Sequence, residues 1–292
     1  MRSIRPMGLE NLTIVIPCLE EVRLLQQCLD SIAVRLPGQK VLVVKMGTWS
    51  PDQLAGRDLD LRILTSPRVG AAAARNLGAR AARSEYIFCP DSDCILVGPA
   101  ALWQARLKDA LARQADLVIL GRAEAGRRFS PGKLTRWNFS RHCIEWTLIW
   151  ARDHFFALGG LDESYGPGSA TAAQAGEGFA LVFRHFEQPR SRTIMLPKLL
   201  VSHPSLSNTG ASPQRQFEYA YGSNYVAMRQ LRRRPSLLSL FWFIRTTLGI
   251  SADLVRGLRA RSLRQTFYLV YARYLAACDA LLRDTPRPRE RG

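Results

Sequence analysis

Two aspartates, Asp91 and Asp93, interrupt an apolar stretch of the sequence. They follow the apolar run Tyr86–Cys89 after one proline, and a second apolar run begins directly after them. A carboxylate is costly to bury unless it is paired or hydrogen-bonded. The two residues therefore either cap a turn or hold a cation between them, and carboxylate oxygens are ligands that Mg²⁺ and Mn²⁺ prefer.

The six cysteines suggest a second metal chemistry. Cys89 and Cys94 flank the aspartates, and His142 with Cys143 could complete a zinc site. No CxxC pair or other zinc-ligand spacing supports this alternative. We expect buried, reduced thiols instead, as in a cytoplasmic protein.

Short apolar runs alternate with helical patterns through the first hundred residues. Strands are predicted at 12–17, 40–44, 60–64 and 85–89, and helices at 20–36 and 70–83. Such alternation predicts an α/β fold, Rossmann-like, with a mostly parallel sheet and helices on both faces. Ligands of these sheets bind beyond the carboxyl ends of the strands. Asp91 and Asp93 lie at such an end, which favours a ligand site over a cap.

Five stretches in this order resemble motifs of the family 2 glycosyltransferases with the GT-A fold. They are "TIVIPCLEE", "RVGAAAARNLGARAA", "DSD", "FFALGGLDE" and a helix that begins with "GEG". The resemblance covers residues 12 to about 222. It implies a GT-A domain that transfers a sugar, with inversion, from a nucleotide-diphosphate donor. The implied acceptor is a hydroxyl of a glycan or lipid-linked molecule in bacterial surface polysaccharide assembly.

The resemblance also implies a metal site. Asp91 and Asp93 would hold Mg²⁺ or Mn²⁺ against the donor diphosphate, where the ion would neutralise charge on the leaving group. His203, in "LLVSHPS", matches a histidine that completes the metal site in many members. A histidine before a proline is also common in loops, and that alternative stays open.

The resemblance implies that the donor nucleotide is bound by five residues: Pro17, Glu20, Lys45, Arg75 and Asp91. Arg75 matches an arginine that faces the nucleotide, although a solvated helix arginine would fit the sequence equally well. Two positions depart from the family. Glu20 replaces an asparagine, and Lys45 with Met46 replaces an aspartate pair that serves the nucleoside, so the nucleoside is left open.

The acceptor-side motif departs most. The family carries Glu-Asp there, with the aspartate as general base, whereas this chain has Glu177 followed by Gly178. Glu177 could take the role because Gly178 would permit a backbone shift, and Asp162 and Glu163 are further candidates. Alternatively, the chain keeps its donor and metal residues but is a catalytically weak binding or scaffold subunit.

The net charge of +17 predicts an anionic partner. From Leu231 onwards the chain has 13 arginines, no lysines and 4 acidic residues, a net charge of +9. Without a nucleic-acid-binding motif we expect no nucleic-acid partner. An anionic membrane surface fits better. With no secretory signal and no apolar run of roughly 20 residues, we expect a cytoplasmic protein, peripheral at the inner face of the plasma membrane.

We predict three regions: a GT-A domain at 1–212, a C-terminal helical, membrane-associating segment at 213–283 and a disordered tail at 284–292. An apolar stripe runs through the second region at helical spacing. It consists of Ile250, Leu254, Leu258, Phe267, Val270, Tyr274, Cys278 and Leu281. The stripe either lies in a membrane interface or packs against the protein itself.

Overall fold

The computed structural model describes residues 8–54, 58–124, 127–128, 133–203, 212–246, 248 and 263–289. A nine-stranded sheet forms the centre of this part of the chain. Its strands are β1 (Leu12–Cys18), β2 (Gln39–Lys45), β3 (Leu59–Thr65), β4 (Tyr86–Phe88), β5 (Ile95–Val97), β6 (Leu117–Glu124), β7 (Arg127–Arg128), β8 (Leu148–Ala151) and β9 (Thr193–Ser202). Eight strands lie in the order β3-β2-β1-β4-β8-β6-β9-β5, and β7 pairs with β6.

The first four strands form a parallel half-sheet, as the strand–helix alternation predicts. β1 pairs in parallel with β2 and with β4, and β2 pairs in parallel with β3. Every residue of β1 is buried, which is typical of a strand covered on both faces. All four strands therefore end at the same edge of the sheet.

The other half of the sheet is mixed. β8 lies antiparallel to both β4 and β6, β6 is parallel to β9, and β9 is antiparallel to β5. A parallel return from β6 to β8 would need a crossover of a dozen residues or more, usually a helix. The described part of that connection holds the two-residue strand β7 and two 3₁₀ turns, Phe139–Arg141 and Glu145–Thr147, but no α-helix. The sheet is therefore less parallel than the sequence predicted.

Helices cover both faces of the sheet. They include α1 (Val22–Arg35), α2 (Ala71–Ala81), α3 (Ala100–Ala112), α4 (Arg152–Ala157), α5 (Glu177–Glu187), α6 (Pro213–Arg233) and α8 (Leu263–Leu282). Between the last two, α7 begins at 237 and is described to 246. Helices α1 and α3 bury Leu25, Leu29 and Trp103 on one face. Helices α2 and α5 bury Ala74 and Phe183 on the other.

Helices α6 and α8 pack together behind α5. Three alanines spaced four residues apart, Ala272, Ala276 and Ala280, are fully buried in the same cluster as Tyr221. The Tyr221 hydroxyl donates to Asp279 Oδ2 at 2.7 Å. Small side chains on this face let the two helix backbones approach closely. Within the described residues, no helix combines the length and the hydropathy needed to cross a membrane.

The predicted apolar stripe faces outwards where the structure describes it. Phe267 and Tyr274 are each 65% exposed and Leu281 is 53% exposed, because the alanine face of α8 is the one turned to α6. Val270 and Cys278 are half-buried. The first three stripe positions, at 250, 254 and 258, lie outside the described residues. Phe267, Tyr274 and Leu281 therefore do not pack against the described part of the protein.

The tail differs from the predicted disorder over 284–289. Arg287 forms two bonds to Asp279, at 2.6 and 3.0 Å, and Arg289 forms two to Glu218, at 2.8 and 3.0 Å. The Arg289 amide also donates to the Ala170 carbonyl at 3.0 Å. Both carboxylates are buried, and a buried carboxylate needs such a partner. The last residues, 290–292, lie outside the described part.

Candidate active site

The predicted site residues meet at the sheet edge where β1, β2 and β4 end. Asp91 and Asp93 lie in the connection from β4 to β5, and the Cys94 amide closes this turn by donating to the Asp91 carbonyl at 3.1 Å. Helix α2 begins at the same edge, where the Ala71 amide donates to the Pro167 carbonyl at 2.9 Å. Segments distant in sequence thus come together beside the two aspartates.

Asp91, Asp93 and His203 converge on one point. His203 Nε2 lies 3.3 Å from Asp91 Oδ2 and 3.3 Å from Asp93 Oδ1. The indole of Trp146 stacks on the His203 ring, with centroids 5.1 Å apart and planes 13° apart, and fixes the ring orientation. The structure therefore joins the three residues that the sequence assigned to a metal.

The ligand chemistry of this group suits a hard divalent cation. Ligand atoms of Asp91, Asp93 and Cys94 lie within 4.8 Å of one another, but burial raises the pKa of the Cys94 thiol well above its usual value. That leaves carboxylate oxygens and an imidazole nitrogen, a set suited to Mg²⁺ or Mn²⁺. The alternative zinc ligands do not assemble into such a group in the described residues, where all six cysteines are free.

The pKa values of the two aspartates shift in opposite directions. Burial alone would raise the pKa of Asp91, but Arg75 and His203 hold it below its usual value. For Asp93, burial raises the pKa and the neighbouring charge of Asp91 adds to that effect, against His203. Asp91 is therefore a stable anion in the fold, whereas Asp93 is an anion at a cost that a bound cation would relieve.

Arg75 is the cation at the centre of the site. It projects from α2, is only 3% exposed, and pairs through Nη2 with Asp91 Oδ1 and through Nη1 with Glu177 Oε1 at 3.6 Å. Its Nε and Nη1 atoms make no hydrogen bond to the described residues. Arg75 is thus not a solvated helix arginine, and two of its buried polar atoms remain without a hydrogen bond at the site.

Glu177 opens α5 directly after Gly176, whose φ of +108° favours glycine. It is 3% exposed and lies against Gly166, where an added Cβ would stand 2.6 Å from Glu177 Cδ. Burial and the nearby Glu145 raise the pKa of Glu177 to about 8, against the effect of Arg75. Glu177 is therefore held under a glycine and beside a guanidinium.

Glu145, which the sequence did not single out, belongs to the same cluster. A Cβ built on Gly178 would lie 2.1 Å from Glu145 Cγ and 2.2 Å from Glu145 Oε1. Burial raises the pKa of Glu145. The local signal is an acidic residue three positions before the apolar strand β8, the one acidic residue between Glu124 and Asp153. Its partner glycine is 33 positions away, so the sequence could not pair the two.

Asp162 and Glu163 lie beside α2 and α6 and are bonded there. Asp162 accepts from the Ser164 hydroxyl at 2.6 Å and from Arg229 Nη1 at 2.7 Å. Burial would raise the pKa of Asp162, but these bonds lower it. Glu163 accepts from Asn76 Nδ2 at 3.0 Å. Both carboxylates therefore brace the turn after α4.

The predicted nucleotide-side residues lie at the neighbouring strand ends. Pro17 is buried within β1, opposite Val44. Glu20 Oε1 accepts from the Thr48 amide at 3.0 Å and so links the loops after β1 and β2. The Lys45 ammonium lies 5.6 Å from the Trp49 ring centroid. A broad open cleft runs along these loops, lined by Glu20, Glu21, Val22, Arg23, Leu24, Thr48, Trp49, Ser50 and Gln53.

Comparison with known proteins adds to this geometry. The profile of "Glycosyl transferase family 2" matches residues 13–160. The uncharacterized glycosyltransferase EpsJ of Bacillus subtilis (strain 168) is 29% identical over 117 residues, which are 37% of this chain and 33% of EpsJ. The chain thus matches about a third of the length of that relative.

Two solved structures share the fold at low sequence identity. S. aureus TarS 1-349, in complex with UDP-GlcNAc, has a TM-score of 0.52 at 11% identity, over 93% of this chain and 91% of TarS 1-349. The mannosyltransferase PcManGT of Pyrobaculum calidifontis, in complex with GDP-Man and Mn²⁺, has a TM-score of 0.55 at 15% identity, over 93% and 87%. These likenesses confirm the GT-A fold. The profile match, which covers half of the chain, shows that the protein belongs to the family 2 glycosyltransferases.

Proposed function

We propose that the protein transfers a sugar from a nucleoside-diphosphate donor to a hydroxyl group of a glycan or lipid-linked acceptor, with inversion at the sugar carbon. The observation that carries the proposal is the convergence of Asp91, Asp93 and His203 at the carboxyl edge of the sheet. Diphosphate and carboxylates repel one another, so donor binding at this edge needs a cation.

Mg²⁺ or Mn²⁺ would be held by Asp91, Asp93 and His203. The raised pKa of Asp93, caused first by burial, marks a carboxylate that lacks a sufficient cationic partner. When bound, the ion would stabilise negative charge on the diphosphate. Arg75 keeps Asp91 ionised and in place, and Trp146 orients His203. The neighbours support this choice, because PcManGT binds GDP-Man with Mn²⁺ and TarS binds UDP-GlcNAc.

On the nucleotide side, the loops after β1 and β2 would contact the nucleoside. Pro17 lies next to the last residue of β1, Glu20 links the two loops, and Lys45 supplies a positive charge beside Trp49, which lines the cleft. Since Lys45 and Met46 replace acidic residues of the family, the nucleobase of the donor is left open.

On the acceptor side, the base must come from a carboxylate other than residue 178. Of the three candidates from the sequence, only Glu177 pairs with Arg75. Asp162 and Glu163 are bonded to other side chains. Glu177 and Glu145 are then the two glutamates beside Arg75 that could serve. If neither does, the protein is a donor-binding subunit with weak catalysis.

The test is donor binding with and without metal. A panel of UDP-GlcNAc, UDP-Glc, UDP-Gal and GDP-Man is screened by thermal shift in Mn²⁺ and in EDTA. We expect at least one donor to raise the melting temperature in Mn²⁺ only. Donor binding of equal strength in EDTA would contradict the metal site, and stabilisation by none of the donors would contradict the proposed function.

We also propose that α7 and α8 attach the protein to an anionic membrane, which would give access to a lipid-linked acceptor. Both helices expose apolar side chains. These are Leu237, Leu240, Ile244 and Leu248 on α7, and Phe267, Tyr271, Tyr274, Leu281 and Leu282 on α8. Arg273 Nη1 donates to the Thr246 carbonyl at 3.4 Å and joins the two helices. The sequence between them adds Arg256, Arg259 and Arg261, and arginines attract anionic head groups.

The membrane proposal is tested with vesicles of phosphatidylglycerol and phosphatidylcholine. In the double variant Leu240→Ser, Ile244→Ser, the partition coefficient should fall about tenfold or more, since each buried aliphatic side chain contributes roughly 1 kcal/mol. Val34→Ser, an exposed apolar residue on α1, is the matched control. Equal binding to neutral and anionic vesicles, or no effect of the double variant, would contradict the proposal.

A further inference from the structure

The space that an aspartate at position 178 would fill is already occupied by a carboxyl group. A Cβ on Gly178 would stand 2.1, 2.2 and 2.4 Å from Glu145 Cγ, Oε1 and Cδ. These distances are far below any tolerated contact, so a side chain at 178 and the Glu145 side chain in its present conformation exclude each other. Position 178 carries no carboxylate of its own, but the carboxyl group of Glu145 lies where a side chain of residue 178 would be.

The backbone around Glu145 is fixed by the fold. Glu145 opens the 3₁₀ turn that leads into β8, where the Thr147 amide donates to the Ile144 carbonyl at 2.9 Å. The next residue, Trp146, stacks on His203. β8 is then held between β4 and β6. Glu145 is therefore one residue away from the Trp146–His203 stack and shares a cavity with Arg75.

A second observation points to a ligand at this place. Arg75 is almost fully buried, yet its Nε and Nη1 make no hydrogen bond to the described residues. Buried polar groups without a hydrogen bond are uncommon in folded proteins and call for an explanation. Arg75, Glu145 and Gly178 line a cavity of about 10 Å³, which has room for one water-sized group. A hydroxyl group placed beside Glu145 would meet these unsatisfied donors.

Glu177 is less able to meet an acceptor. It is 3% exposed, is covered by Gly166 and pairs with Arg75. Glu145 is half-buried rather than buried. A base must approach the hydroxyl to within hydrogen-bond distance, and Glu145 is the glutamate whose side chain takes the place of the missing side chain at 178. Glu177 then acts as a positioning residue for the Arg75 guanidinium.

We infer that Glu145 is the catalytic base of this protein, in place of the missing carboxylate at position 178. The inference rests on the proposed function. Glu145 takes the proton of the acceptor hydroxyl while the acceptor oxygen forms a bond to the anomeric carbon of the sugar. The bond from that carbon to the phosphate oxygen breaks, and its electron pair leaves with the nucleoside diphosphate. The proton on Glu145 then passes to solvent.

The experiment moves the carboxylate back to position 178. Variants Glu145→Gln, Glu145→Ala, Gly178→Asp and the double variant Glu145→Ala, Gly178→Asp are compared with the wild type. Glu177→Gln is the rival variant, and Glu85→Gln, an exposed glutamate before β4, is the matched control. The donor is the panel nucleotide-sugar with the largest Mn²⁺-dependent thermal shift. Turnover is the release of nucleoside diphosphate, with octyl β-glycosides or water as acceptor.

We expect Glu145→Gln and Glu145→Ala to lower kcat by about 10²–10⁴-fold with donor Kd within about twofold of wild type. In the double variant, kcat should recover at least tenfold over Glu145→Ala, which a purely structural role for Glu145 would not produce. Gly178→Asp alone should lower the melting temperature, and clearly less so in the Glu145→Ala background. Glu85→Gln should behave as wild type.

Three results would overturn the inference while leaving the proposed donor binding intact. They are wild-type turnover in Glu145→Gln, loss of turnover in Glu177→Gln but not in Glu145→Gln, and a wild type that binds donor but releases no nucleoside diphosphate. If Gly178→Asp changed the melting temperature equally in the wild type and in Glu145→Ala, the conclusion that Glu145 occupies the space of a side chain at 178 would be wrong. If no donor bound, the proposed function would be wrong as well. The thermal-shift measurement of donor binding identifies this outcome without any turnover assay.

Discussion

An asparagine substitution at Asp91 should destabilise the fold and one at Asp93 should not, whereas both should weaken donor binding. Asp91 serves two partners, Arg75 through Oδ1 and His203 through Oδ2. Asp93 faces His203 through Oδ1 at 3.3 Å. Both carboxylates would hold the metal, whereas the ion pair with the buried Arg75 belongs to Asp91. Metal binding and folding can therefore be separated by comparing the two variants.

The magnitude for Asp91→Asn follows from the burial of Arg75. Removing one partner of a buried ion pair costs about 3–5 kcal/mol. The side chain of Asp91 is 30% exposed, so we expect a smaller loss in the free energy of unfolding, about 2–3 kcal/mol. The lowered pKa of Asp91, set by Arg75 and His203 against burial, has the same sign. Its contribution is present above the unfolded pKa and is lost as the pH falls.

For Asp93→Asn the sign reverses. Burial and the charge of Asp91 raise the pKa of Asp93, so the fold disfavours its charged form at neutral pH. Removing that charge should leave the free energy of unfolding unchanged within about 1 kcal/mol, or raise it.

Urea unfolding at pH 7 in EDTA, followed by tryptophan fluorescence, measures both values. Asp109→Asn is the control, because Asp109 is an exposed partner of Arg113 at 4.0 Å and such pairs contribute well under about 1 kcal/mol. In Mn²⁺, both site variants should weaken donor binding by at least about tenfold, and the control should not. Equal destabilisation by both site variants would refute the role of Arg75. Unchanged Mn²⁺-dependent donor binding in both would refute the metal site.

Glu177 should impose a pH dependence on stability. Burial and the charge of Glu145 outweigh Arg75 and raise the pKa of Glu177 from 4.5 to about 8, and the charge of Asp91 adds to this rise. Folding therefore favours protonated Glu177. The free energy of unfolding should fall as the pH rises from about 4.5 to about 8. Urea titrations at several pH values should show this fall in the wild type and a flatter curve in Glu177→Gln; identical curves would contradict it. Trp146→Ala should weaken Mn²⁺-dependent donor binding by about three- to tenfold, because the His203 ring loses its stacking partner. Trp137→Ala, whose ring meets Phe241 instead, is the control in the same titration, and equal effects of the two would contradict the prediction.

Local patterns in the sequence determined much of the fold. The apolar runs and the helical spacing predicted the parallel strands β1 to β4 and the helices between them, because burial on one or two faces leaves a period that can be read along the chain. The same reasoning located Asp91 and Asp93, since they follow a strand of the predicted parallel sheet at the end where ligands bind. His203 and Arg75 required the resemblance to a family, because neither has a distinctive local pattern.

Tertiary structure alone decided the rest. The mixed half of the sheet depends on which strands meet, and a short apolar run such as β8 fits either direction equally well. The outward turn of the α8 stripe depends on Ala272, Ala276 and Ala280, whose small size matters only against the helix that they contact. The exchange between Gly178 and Glu145 is likewise invisible along the chain. In the sequence, Gly178 shows only that a side chain is missing. Glu145 lies 33 positions away, and only folding brings its carboxyl group into the space beside Gly178.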